Sequence, residues 1–113
     1  MAKYTYRPSC DGAKESAALK QLAMMVYDAA MTVSEHRLRQ NVDDLAHRLS
    51  VRALAVEQCE SEERAAHDWQ DCHRESRIRD AQHDLQIARV KFYEVEAMLE
   101  AARGALIDRG LDN

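Results

Sequence analysis

The sequence predicts an all-α fold, either a long antiparallel helical hairpin or a small three- or four-helix bundle with coiled-coil-like packing. Between Gly12 and Gly104 there is neither glycine nor proline, so nothing over that stretch forces the backbone out of a helix. Alanine, leucine, glutamate, arginine and glutamine dominate it, while the β-branched and aromatic residues that favour strands are sparse. Apolar residues also recur at steps of three and four, the helical period.

With 113 residues, the chain reads as a single helical domain, residues 1–113. Its charges, 32% of residues and −4 in sum, are interspersed in sign. That balance argues against a direct nucleic-acid partner, which needs a concentrated positive field. The longest mostly apolar run, Leu22 to Val33, is broken by Asp28 and falls short of the roughly twenty residues of a membrane span; no membrane contact is expected. The opening Met1-Ala2-Lys3-Tyr4 lacks the hydrophobic core of a secretory signal, so a cytoplasmic location is the expectation. Three cysteines without a close pair, Cys10, Cys59 and Cys72, suit reduced thiols.

Residues 1–10 mix Tyr4, Tyr6, Arg7 and Pro8 without helical periodicity and read as an N-terminal arm. Asp11 can cap the first helical arm, 11–59, with Glu15 complementing the helix dipole. From Ala17 to Val33 the polar residues Lys20, Gln21, Asp28 and Thr32 share one sector of about 120°, and the rest of the circumference wants burial. Met24 and Met31 intrude into that sector and could form a small exposed apolar patch. The arm can break near 32–35, where Thr32 and Glu35 have capping-box spacing. Leu38, Val42, Leu45, Leu49, Val56 and Cys59 then trace a coiled-coil-like seam.

The seam degrades from Glu57 to Asp84, where nine acids face four arginines for a net of −5. The chain is expected to turn there, near residue 60, because Ser61 followed by Glu62 and Glu63 makes a good helix start. A second arm, 61–109, can break near 73–77. Its clearest repeat is Ala81, Leu85, Ala88, Phe92, Val95, Leu99, Ala102 and Leu106, with a second apolar face of Ile87, Val90, Ala97, Met98, Ala101 and Ala105. Gly110 has the place of a Schellman C′ residue, with Leu106 and Leu111 as its apolar pair, leaving 110–113 as a tail. A hairpin of such arms sets the first helix against the heptads of 85 to 106. It also leaves the second faces wet, so a homodimer is expected.

Several constellations could carry chemistry. Asp44 with His47 and Asp80 with His83 have the spacing of di-metal helix bundles, but the heptad phase turns both pairs outward. His67, Asp71, Cys72 and His73 are the densest set of ligand-type side chains, yet on one helix only His67 and Asp71 share a face. Cys59 and Cys72 read better as buried small hydrophobes. Trp69, the only tryptophan, is a core plug or a partner anchor, and the core reading is preferred. Arg37, Arg39, Arg48 and Arg52 interleave with acids and read as a solvated face. The order Leu38, Arg39, Val42, Asp43, Leu45 resembles the opening helix of the small all-helical chorismate mutases over fewer than twenty residues. Val56 stands where that family places a second arginine, so its activity is not carried over.

The expectation is therefore a non-catalytic helical protein-interaction module, an adaptor or small inhibitor without a cofactor. Another protein would be its partner, met through a bundle face or the acidic tip, with Met24, Met31, Glu62, Glu63, Trp69 and Asp71 as contacts. Two alternatives stand beside it: an acidic inhibitor that blocks a nucleic-acid-binding protein, and a small metal-binding protein or enzyme using His67, Asp71, Cys72 and His73.

Overall fold

A serine decides where the second helix begins. The computed structural model describes residues 4–6 and 17–111, and contains α1 (Ala17–Ala30), α2 (Glu35–His67) and α3 (Arg74–Asp108), with no strand among the described residues. Cys10, the Asp11 cap, Glu15 and the end of the tail lie outside them. Ser34 is extended (φ −64°, ψ 155°), and its Oγ accepts the backbone N–H of Arg37 at 3.2 Å, satisfying one of the donors left over at a helix start. Thr32 takes no part in that cap, because its hydroxyl donates to the Ala29 carbonyl at 3.0 Å. Arg109 closes the end of α1 from outside, one guanidinium nitrogen donating to the carbonyls of Ala30 (2.9 Å) and Val33 (2.7 Å).

The main turn lies at 68–73, not near residue 60, and α2 runs through Ser61 without interruption. The Ser61 hydroxyl accepts from the Arg64 side chain at 3.2 Å instead of capping a backbone N–H, and the Glu, Arg and Ala around it are all good helix formers. Asp71 makes the turn. Its Oδ1 accepts from the His73 N–H (2.9 Å) and its carbonyl from the Arg74 N–H (3.3 Å), the short-range bonding that makes aspartate a turn residue. Arg74 Nε donates back to the His67 carbonyl at 3.1 Å, satisfying the end of α2. At the far end of α3 the Schellman motif forms as the sequence predicts. Gly110 has φ +72°, its N–H donates to Ile107, and the Leu111 N–H donates to Leu106.

α2 and α3 are antiparallel, joined by Arg39 with the Leu111 carbonyl at one end and by Glu60–Arg89 and Glu63–Gln82 towards the turn. Leu38 and Leu45 of α2 are buried, as are Leu85, Val95, Leu99 and Ala102 of α3. The heptads of 85 to 106 thus meet α2 rather than the first helix. The break at 31–34 folds α1 back, so α1 takes the second face of α3 instead. Tyr27 donates to Asp108 at 2.7 Å, which continues the stripe of Ala97, Ala101 and Ala105, all three buried. Both α1 and α2 pack on α3 and only marginally on each other.

The lengths of the helices set the shape. α1 has 14 residues, α2 33 and α3 35, or about 21, 50 and 52 Å at 1.5 Å per residue. One end, the head, is therefore three helices thick, while the other, the tail, is a two-helix hairpin, within extents of 58 × 25 × 18 Å. In the tail only Ala66 and Leu85 are buried among the described residues.

Candidate functional site

Two places on the described surface hold the contacts the sequence predicts: the tip of the tail and the outer side of the head. At the tip, Trp69 is 48% exposed, which corrects the core-plug reading. A two-helix hairpin closed by a six-residue turn has no third layer to bury an indole against. Arg77 lies over the ring instead, 4.2 Å from its centroid, a cation–π arrangement. Arg77 also reaches Asp71 Oδ2 at 3.6 Å. The indole is thus held by a guanidinium while about half of the residue stays exposed.

Acids surround it. Glu63 accepts from His67 at 2.7 Å and from Gln82 at 3.4 Å. The His67 hydrogen bond is the main reason its carboxyl titrates below the usual range. Glu62 is exposed with no ion pair among the described residues. Of the sequence-predicted contacts, Glu62, Glu63, Trp69 and Asp71 therefore lie in the last turns of the hairpin, with His67 holding Glu63 and Arg77 holding both Trp69 and Asp71.

His67, Asp71, Cys72 and His73 do not converge. His67 is committed to Glu63, and Asp71 is divided between the His73 backbone and Arg77. Among the described residues no three His, Cys, Asp or Glu side chains are placed to hold a metal ion. Asp44, His47, Asp80 and His83 are all exposed, on the outward faces their phase implied. Cys72 is exposed rather than buried, since it falls in the turn. Cys59 is half-buried, and burial, with Glu62 and Asp84 adding to it, pushes its thiol pKa up, away from the nucleophilic thiolate. Arg39, the arginine of the chorismate-mutase resemblance, is held by Glu35 at 3.0 Å and the Leu111 carbonyl at 2.6 Å, and Val56 sits half-buried in the seam.

On the head, Met31 is 37% exposed, but Met24 is half-buried against the core and Met25, at 62%, is the exposed residue. The arm also docks on the head. Tyr4 and Tyr6 join the core cluster beside α1, and Tyr4 stacks on Tyr27 with centroids 5.4 Å apart. Gly104 makes room for it, since a Cβ there would lie 2.5 Å from Tyr4 Cδ1. The Tyr4 N–H donates to Asp108 Oδ2 at 2.7 Å, the same oxygen that receives the Tyr27 hydroxyl. That hydrogen bond, then burial and the charge of Asp108, raises the Tyr27 pKa. Burial is the leading reason the Tyr4 pKa rises. Nothing in the sequence marked this docking beyond a glycine near the end of a helix.

No protein family, curated protein or solved structure matches the chain. No described helix is long and apolar enough to cross a membrane.

Proposed function

We propose that this chain is a non-catalytic helical protein-interaction module, an adaptor or small inhibitor, that works as a homodimer and grips another protein with its tip. One observation carries the reading: the sole tryptophan stands half-exposed at the end of the hairpin, held over by Arg77. A large aromatic costs little side-chain entropy to fix and releases much apolar surface when covered, which is why tryptophan dominates binding hot spots. Pre-ordering by Arg77 and Asp71 lowers the cost of binding further. Glu62, exposed near the end of α2, supplies charge that favours a partner with a basic rim.

The acidic-inhibitor alternative has less support, because Glu60, Glu63 and Asp71 already have partners within the chain. No observation favours the metal-binding alternative.

The test is capture of partners from the source cell on the immobilised full chain, repeated with Trp69→Ala combined with Glu62→Arg. A specific partner is lost from the variant, and its addition to the wild-type chain in solution shifts Trp69 fluorescence to the blue. If every captured partner stays bound to the variant, the tip is the wrong surface.

A further inference from the structure

One face of the hairpin runs along both head and tail. At about 100° per residue, Ile87 and Val90 share the stripe of α3 that further on carries Ala97, Ala101 and Ala105 beneath α1. Because Arg109 is level with Ala30, the 14-residue α1 reaches back only to about residue 96 of α3. Ile87 and Val90 stand beyond it, 41% and 45% exposed. On the head, α1 and α2 leave a groove of about 280 Å³ between them, with Leu38, Leu45, Met98 and Ala102 among its apolar lining and Asp44 and Arg48 on its α2 side. In a four-helix bundle a further helix would fill such a groove.

The two ends of this face carry opposite charge. On the groove side of α2, Arg37, Arg48 and Arg52 lie along the head with Asp44 as the one acid of that side, whereas Glu62 on α2 and Asp80 and Asp84 on α3 lie along the tail. All seven are exposed, and none forms an ion pair among the described residues.

We propose that a second copy of this chain covers this face. A two-fold axis near Ala88 and Arg89 of α3 sets Ile87 against the partner's Val90 and Val90 against the partner's Ile87, the self-complementary contact an isologous dimer requires. The two α3 helices run antiparallel and cross at an angle, because α1 blocks the stripe from about residue 96 onward. That crossing carries each acidic tail towards the groove of the other copy, Asp80 towards the partner's Arg48 and Arg52, and Asp84 towards the partner's Lys91. A parallel pairing would instead lay tail on tail, acid against acid, and set Glu94 against the partner's Glu94. The apolar centre is small, so the dimer is a weak and reversible one.

The proposal rests on the homodimer part of the functional reading and is tested without touching Trp69. Sedimentation of the full chain over a concentration series gives a reversible dimer. Ile87→Asp with Val90→Asp raises its dissociation constant about tenfold or more while helical circular dichroism is retained. Arg48→Glu with Arg52→Glu weakens it, as does Asp80→Arg alone, and all three changes in one chain restore it, because every swapped charge again faces its opposite. A mass of one chain at every concentration overturns the proposal. So does a dimer indifferent to Ile87 and Val90, or a combined variant no tighter than its parents. Partner capture on the Ile87→Asp, Val90→Asp chain separates the two ideas, since a partner retained there upholds the tip even when the dimer is lost.

Discussion

Head and tail are built from the same two helices, yet they differ in how many neighbours those helices have. In the head, α3 meets α2 on one face and α1 on another, and its alanines at 97, 101, 102 and 105 are buried to within 3% of full enclosure. Small side chains there let three backbones approach closely. In the tail the same helix has one neighbour, so Ile87 and Val90 stay wet and the hairpin is closed by charged contacts such as Glu60–Arg89 and Arg77–Asp71. Exposed pairs of that kind contribute little to stability. The head therefore holds the fold, and the tail is left to present side chains.

The largest expected effect tests that division directly. Leu99 is 2% exposed in the head and Leu85 8% in the tail. Leu99→Ala should cost about 2–5 kcal/mol, and Leu85→Ala should fall at or below the low end of that range, because its cavity opens to solvent. Urea unfolding of both variants decides it; an equal or larger loss at Leu85 would mean the tail is as well consolidated as the head. Next comes Ser34→Ala, which removes the α2 cap and should cost about 1 kcal/mol. Amide exchange should rise first at Arg37, and an unchanged rate there would show that the Ser34 hydroxyl is not the acceptor.

Gly104→Ala sharpens the comparison on the other side of the head. The new Cβ needs the space of the Tyr4 ring, so the arm undocks, while alanine's better helix propensity offsets the loss and leaves net stability within about 1 kcal/mol. The reading is the Tyr4 amide, now bonded to Asp108: its exchange should lose protection, and a still-protected amide would refute the steric account. Asp108→Asn acts on the same spot through charge. Tyr27 has a raised pKa in the folded chain, so its contribution to stability is complete below the unfolded tyrosine value and is lost as pH rises through the folded one. The variant should bring the Tyr27 phenolate transition down towards the ordinary range in an ultraviolet titration. No downward movement would leave Asp108 without the role assigned to it. Smallest of all, Trp69→Ala should change stability by less than about 0.5 kcal/mol, whereas a loss of several times that would make the indole part of a core after all.

Most of the helical content was legible because period and breaker residues act locally. The Gly110 motif is the clearest case, since one positive φ and two backbone bonds settle it. The turn falls at 68–73 and not near residue 60 because Ser61-Glu62-Glu63 fits a helix interior as well as a helix start; what selects 68–73 is the set of bonds made by Asp71 and Arg74. The candidate site was legible in its residues and not in their exposure. Trp69 looks the same in sequence whether it plugs a core or caps an open hairpin, and Met24 packs against the core while Met25 stays wet because α1 turns Ala23, Tyr27 and Ala30 inward.

By itself the sequence determined that this chain is helical, that its helices carry apolar stripes on more than one face, and that the last ends at Gly110, because each depends on neighbours within a turn or two. The tertiary structure alone decided which stripes meet. α1 is long enough to cover only one end of α3, so the face it covers becomes the core of the head and the continuation of that face becomes open surface on the tail.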